Sequence, residues 1–260
     1  MLSFIVPAYN EELELPATIE SIRAAAAEIA DYELIVVDDG STDATAEIAR
    51  AAGVEVVAIN RRQIAAARNA GARAARGDIL FFVDADTRIS RQHVTGAIDA
   101  LKAGYAGGSA RVVADGIIPL WGSVLMKIFC AVYFANNLGA GAFLFTSREN
   151  FEKIGGFDEA LYVGEEVYFS LALRKLGRFK ILREAVVTSG RKLRMYSARQ
   201  IVLRFVGIVL RGKRGAMSRD RLDLWYDGRR ERRELGRGDS RRHSAMATSI
   251  ADKREQRTIL

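Results

Sequence analysis

The sequence predicts an α/β fold built on a mainly parallel sheet flanked by helices, and three observations predict it. Strand-like apolar runs alternate with helical segments from residue 2 to residue 87, which is the pattern of βαβ units. The run at 79–87, ILFFVDADT, drives five apolar residues straight into Asp84-Ala85-Asp86, as a buried parallel strand ending at a ligand-binding edge would. The run at 32–37 ends the same way, in Asp38-Asp39-Gly40-Ser41-Thr42-Asp43.

Taken in order, residues 2–9 form a first strand closed by Pro7 and by Tyr9-Asn10-Glu11-Glu12. A helix over 16–30 has Pro16 in its first turn. The strand at 32–37 leads to a helix over 44–52 that Ser41 or Thr42 would cap. A strand at 54–59 and an Ala/Arg-rich helix at 63–76 precede the 79–87 strand. A helix at 91–103 and a strand at 105–113 follow. Residues 117–138 are mostly apolar but contain Pro119, Gly122 and Lys127, too interrupted for the ~20 apolar residues of a bilayer span, so a buried or interfacial helix is expected. A strand at 141–146, a helix at 148–154, a turn at Gly155-Gly156-Phe157-Asp158 and a helix at 165–176 come next. Short strands are expected at 179–182 and 185–188, and an amphipathic helix with basic flanks at 198–214. The expected division is a catalytic domain over 1–195, a helical basic segment over 196–227 and a disordered basic tail over 228–260.

The chain of 260 residues, 49% hydrophobic and 27% charged, is an ordinary globular composition. The single cysteine, Cys130, excludes an internal disulfide and a cysteine-rich zinc site. The start shows no basic region followed by a long apolar stretch, so no secretory signal is expected. Net charge is +7, and residues 1–210 are balanced at 24 basic and 24 acidic residues. The surplus lies in residues 211–260, with 15 basic and 8 acidic. Such a segment suits an anionic surface or a solvated terminus.

Three acidic clusters define the expected site: Asp38-Asp39, Asp84 with Asp86, and Glu165-Glu166 at the start of a helix. The first two close parallel strands and so share one sheet edge. Two carboxylates one residue apart repel unless a cation lies between them. Mg²⁺ or Mn²⁺ carrying phosphates suits that need, because such ions take few carboxylates plus ligand oxygens. Arg61, Arg62 and Arg68 supply positive charge nearby. A solvated turn also ends in Asp, so it is the convergence of clusters that carries weight. Neither a G-x-G-x-x-G after the first strand nor a G-x-x-x-x-G-K-[ST] is present, which argues against a dinucleotide cofactor and a P-loop.

FIVPAYNEE (4–12), LIVVDDGSTD (34–43), AAARNAGARAARGDILFFVDADT (65–87), FEKIGGFDE (151–159) and GEEVYFSLALRKLG (164–177) stand in this order along the chain. In these segments the sequence resembles the family 2 glycosyltransferases of GT-A fold. The resemblance implies a Rossmann-like nucleotide-diphospho-sugar transferase that inverts the anomeric centre. It implies that Pro7, Tyr9 and Glu12 line the nucleotide pocket. Asp39, with Asp38 beside it, would bind the base, and Arg68 would help hold the nucleotide. Asp84 would face the ribose and sugar, and Asp86 would ligate Mg²⁺ or Mn²⁺. Gly156 would shape the donor and acceptor side. The family usually has Glu-Asp where this chain has Glu165-Glu166, so Glu166 is the expected base, with one extra methylene.

Processive members carry Q-x-x-R-W. Gln200 and Arg204-Phe205 have the wrong spacing, so a non-processive enzyme is expected. A C-terminal histidine ligand would fall near Thr188-Ser189-Gly190-Arg191, where none stands; His93 and His243 are expected to be solvated. The partners expected are a nucleoside-diphosphate sugar and a lipid-linked, glycan or small-molecule acceptor. Peripheral contact with an anionic membrane on its cytoplasmic face is expected, and nucleic acid is not. The alternatives are a catalytically inactive nucleotide-sugar-binding protein and a sugar nucleotidyltransferase.

Overall fold

The structure is a computed structural model and describes residues 1–203 and 215–217. These lie within the compact unit Met1–Gly228; the second unit, Arg229–Leu260, is outside the described residues. The expected tail and most of the expected 198–214 helix also fall outside them.

The first half is β1 (Leu2–Ala8), α1 (Leu15–Ala26), β2 (Tyr32–Asp39), α2 (Thr45–Ala51), β3 (Glu55–Ile59), α3 (Ile64–Ala74) and β4 (Ile79–Val83). The four strands are parallel, in the order β3-β2-β1-β4. Then follow β5 (Thr87–Arg88), α4 (Arg91–Lys102), β6 (Tyr105–Ala114), α5 (Leu120–Ala135), β7 (Phe143–Ser147), α6 (Arg148–Lys153), α7 (Glu165–Leu176), β8 (Arg178–Thr188) and α8 (Arg191–Met195). The sheet continues β4-β7-β6-β8-β5, with β7 antiparallel to both β4 and β6, and β8 parallel to β6.

Strand alternation divides the core into two layers. Phe4, Val6, Val36, Phe81 and Val83 face α1 and α4, while Ile5, Ile35, Val37, Leu80 and Phe82 face α3 and α7. Phe4 and Phe81 are register partners, and their rings stack at 4.7 Å. Registered pairing of β1 with β4 stops at Ile5 and Phe82, whereas β1 stays paired with β2 through Ala8 and Asp38. Pro7, which lacks an N–H, therefore sits where β1 and β4 part. Strand order reverses at β1, so the crevice beyond it is the ligand position of an open α/β sheet.

Several expectations change. The 79–87 run is not one strand: Thr87 N donates to Asp84 O at 2.9 Å, turning the chain between β4 and β5. The two expected short strands are one strand, β8, with a register shift opposite Ala110 and Arg111 that leaves residues 183 and 184 as extras. Helix α1 stops at Ala26, short of residue 30. Ser41 and Thr42 do not cap α2; they bond Asn10, and the Asp43 carboxylate takes the Thr45 amide at 3.0 Å. His93 is 2% exposed rather than solvated, because its Nδ1 accepts the Ser90 amide at the start of α4. Among the described residues, no helix is long and apolar enough to cross a membrane.

Gly71 lies on the face of α3 that meets β1 and β2. A Cβ there would come 2.3 Å from Ile5 Cγ2 and 2.9 Å from Val37 Cγ2. Gly71→Ala is expected to lower the unfolding free energy by about 1–3 kcal/mol through overpacking, despite alanine's helix propensity. Urea denaturation checks this.

Candidate active site

The loops after β1 and β2 are sewn together. Asn10 N donates to Ser41 Oγ at 2.9 Å, and Thr42 N donates to Asn10 Oδ1 at 2.8 Å. Glu12 belongs to this seam: its amide donates to Asp43, and its carboxylate accepts the Ala44 amide at 3.1 Å. Asp38 Oδ1 accepts the Ser41 amide at 3.3 Å. Asp39 receives the amides of Arg61, Arg62 and Gln63 at 2.6, 2.8 and 2.7 Å, fixing the turn into α3. A carboxylate has about four lone-pair positions, so one remains for a ligand. The Arg62 guanidinium lies 3.4 Å over the centroid of the Tyr9 ring.

Below these loops lies Arg68, only 1% exposed. Its Nη1 donates to Glu165 at 2.6 Å, and its Nη2 donates to Asp84 at 2.9 Å and to Gly141 O at 3.0 Å. Burial opposes the charge on Arg68, but Asp84, Glu165 and Glu166 outweigh it and hold its pKa above the ordinary value. Burial pushes Asp84 up in spite of Arg68, with Asp86 adding to the rise.

Glu166 is half-buried in the first turn of α7. Burial, then the charge of Glu165, push its carboxyl up to about 8, against its own amide and Arg68. From α5, Tyr133 is near enough that burial and the charges of Glu166 and Glu165 push its phenol well up. Gly156 takes a left-handed turn (φ 74) whose next residue is clamped from α3: Phe157 N donates to Asn69 Oδ1, and Asn69 Nδ2 donates to Phe157 O, each at 2.9 Å.

Asp86 has other company. Its Oδ1 accepts the Thr188 hydroxyl at 3.2 Å, and its Oδ2 pairs with Arg191 Nη2 at 3.2 Å. Arg191 also makes a bidentate pair with Glu11, at 2.6 Å for both contacts. Burial opposes its charge, yet Glu11 and Asp86 hold its pKa above the ordinary range. Lys192 is pushed down by burial, against the pull of Asp86. Thr188 and Arg191 arrive because β5 pairs antiparallel with β8, Thr87 opposite Thr188.

Asp86 fits a divalent ion in one specific way. Among the described residues no three His, Cys, Asp or Glu side chains form a metal cage. One carboxylate suffices for an ion that arrives on phosphates, provided Arg191 leaves Oδ2, and the bidentate Glu11 pair gives Arg191 a place to stay.

The structure thus gathers Arg68, Asp84 and Glu165 into one buried unit, with Glu166 next to it in sequence, and sets Asp86 in a second. Sequence reasoning did not find Glu11, Asn69, Gly141, Tyr133 or Lys192. Arg191 stood in the very stretch searched for histidine, and its signal was an arginine following a glycine turn.

Residues 3–183 match the family Glycosyl transferase family 2. The chain belongs to that family, and its fold is of the GT-A type. Over 113 residues it is 36% identical to an undecaprenyl-phosphate 4-deoxy-4-formamido-L-arabinose transferase of Aeromonas hydrophila subsp. hydrophila, covering 40% of this chain and 35% of that one. A Haemophilus influenzae protein named as an uncharacterized glycosyltransferase is 30% identical over 183 residues, covering 66% of this chain and 62% of that one. The chain thus spans about a third of the arabinose transferase. In fold, the mannosyltransferase PcManGT of Pyrobaculum calidifontis, in complex with GDP-Man and Mn²⁺, matches with a TM-score of 0.63 at 19% identity. That match covers 99% of this chain and 82% of the other. S. aureus TarS in complex with UDP-GlcNAc matches at 0.59 with 18% identity, covering 81% and 66%.

Removing Arg68 would leave Asp84 and Glu165 buried without their cation. Arg68→Met is expected to cost about 3–5 kcal/mol of stability, read by chemical denaturation, whereas Arg61→Met on the exposed side of the turn should cost under about 1 kcal/mol.

Proposed function

We propose that this protein moves a sugar from a nucleoside-diphosphate sugar to an acceptor hydroxyl or phosphate, one linkage at a time, with inversion at the anomeric carbon. Glu166 carries the reading. It is a half-buried carboxylate in the first turn of a helix, beside an arginine-bridged acid pair, with its pKa raised to about 8. A base poised near neutral pH is what proton removal in the transition state requires.

The base of the donor enters between Tyr9 and Asp39, in the crevice that opens at Pro7, with Asp38 and Glu12 shaping the loops around it. Asp84, oriented by Arg68, meets the ribose and sugar, while Glu165 keeps Arg68 in place. Gly156 borders the acceptor side. The acceptor oxygen attacks the anomeric carbon, its proton passes to the Glu166 carboxylate, and the carbon–oxygen bond to the diphosphate breaks.

Arg191 and Lys192 offer positive charge next to Asp86 for the departing phosphate. Asp86 would hold Mg²⁺ or Mn²⁺, and when bound the ion neutralises charge on the leaving diphosphate. The Asp-x-Asp spacing and the Mn²⁺ in the mannosyltransferase complex support this. A lipid-linked phosphate acceptor, handled in peripheral contact with an anionic membrane, is supported by the undecaprenyl-phosphate transferases among the relatives. The division into a catalytic domain over 1–195 and a basic C-terminal part belongs to the same proposal.

Glu166→Gln is expected to lower kcat about 10²–10⁴-fold with a hydroxyl acceptor. A phosphate acceptor is already ionised above pH ~6, so its loss should be much smaller. In the native enzyme kcat/KM rises with pH as the carboxyl loses its proton through about 8, and the variant loses that rise. The sign for stability is opposite. A carboxyl whose pKa is raised on folding, here from 4.5 to about 8, stabilises the fold at acid pH, and that contribution is lost as pH climbs through the folded value. Glu166→Gln should therefore flatten the fall in melting temperature between these pH values.

Nucleoside diphosphates should raise the melting temperature more with Mn²⁺ than with EDTA, and Asp86→Ala should erase the difference. A thermal-shift panel over the bases names the donor; a flat response to every nucleotide would remove the reading.

A further inference from the structure

Helix α5 turns an apolar face to solvent. Ile117, just before it, is 94% exposed, Leu120 82%, Val124 49%, Ile128 57% and Val132 55%. From Leu120 on, the spacing is four residues, so these side chains form one stripe along the helix. A stripe of this length on a monomer marks an interaction surface.

Its surroundings show what kind. Residues 116–148 contain no Asp or Glu, and Lys127 is the exposed charge on α5. Helix α8 lies against the start of α5: a Cβ on Gly122 would touch Leu193, and one on Gly190 would meet Ile118. Residues 189–203 again contain no acid; Arg191 and Arg194 there are held by Glu11 and Asp115, and Arg199 is exposed. Val202 and Leu203, further along, are 42% and 59% exposed. An apolar stripe flanked by the exposed cations Lys127 and Arg199 is the complement of an anionic bilayer, with cations at the headgroups and the stripe at the acyl boundary. A protein partner would not call for the exclusion of acids over both segments. The opposite face of α5 carries Tyr133 beside Glu166, so the stripe and the site are two sides of one helix.

We propose that α5, with the start of the segment after α8, is the surface by which this protein rests on an anionic lipid bilayer, presenting Glu166 to a lipid-linked acceptor held in that bilayer. The acceptor part rests on the transferase reading; the docking part stands alone.

Trp121 on α5 is a built-in probe, and Trp225→Phe leaves it as the one tryptophan. With vesicles of phosphatidylglycerol and phosphatidylcholine, Trp121 emission should shift to the blue and be quenched by brominated acyl chains. Leu120→Glu with Ile128→Glu should weaken partitioning at least tenfold, and pure phosphatidylcholine vesicles should bind at least tenfold less. Three outcomes overturn the proposal. The first is a full chain that does not bind vesicles. The second is equal binding with the two glutamates, which would place the contact in the basic tail or show the stripe covered by the chain itself. The third is loss of a dimer on adding the glutamates while vesicle binding is absent, which would assign the face to a second copy. Nucleotide thermal shifts on the same variants report folding and the donor site. Vesicle binding without any sugar transfer would sink the transferase reading and leave the docking surface standing.

Discussion

One buried guanidinium organises the site. Arg68 has no solvent to share its charge with, and desolvating such a group costs several kcal/mol unless the protein supplies partners. It supplies three from three places in the chain: Asp84 after β4, Gly141 O before β7, and Glu165 at the head of α7. Each fixes the angle at which a different element meets the site. There is no spare room: a Cβ on Gly141 would stand 3.1 Å from Arg68 Nη2. Asp84 and Glu165 take the Nη groups of the arginine, its Nε stays without a partner, and Glu166 feels it only through its charge. Burial and the charge of Glu165 act on Glu166 and outweigh the opposing pull of its own amide and Arg68. The raised pKa of the proposed base comes first from burial and then from Glu165, which the arginine's hydrogen bond holds beside it.

A second constraint closes the other side. Two residues of β5 pair with the end of β8, and this short antiparallel contact carries Thr188 and Arg191 to Asp86. Arg191 then reaches across to Glu11 at the end of β1. Asp84 and Asp86, one residue apart, therefore serve different partners. Asp84 is locked to the interior by a fully buried cation, while Asp86 is shared between a hydroxyl and a cation that has a second carboxylate to hold. Only the second arrangement allows exchange when a ligand brings its own charge.

The sequence made the local half of this legible. Uninterrupted apolar runs that end in acids sit on parallel strands because both faces are buried, and β2 and β4 are such strands. Helix α7 was also readable to the residue from the spacing of Phe169, Leu173 and Leu176. What stayed hidden depends on separation along the chain. Glu11 and Arg191 are 180 residues apart, and nothing in either segment announces the pairing. Asp39 read as a ligand group, yet most of its hydrogen-bonding capacity goes to three backbone amides, a use that no side-chain pattern reveals. His93 read as solvated, yet it is 2% exposed and its ring accepts the Ser90 amide. For residues 117–138 composition gave the apolar helix, but not which face would be left without cover.

That uncovered face and the base belong to the same element. The inner side of α5 places Tyr133 near enough to Glu166 and Glu165 that their charges help raise its phenol. If the outer side rests on a bilayer as proposed, the helix that seats the protein is also the one whose Tyr133 lies near the base. Any shift of α5 on docking would then be felt at Glu166 through desolvation, the leading cause of its raised pKa. Surface and chemistry would be coupled through the thickness of one helix, with no separate relay between them.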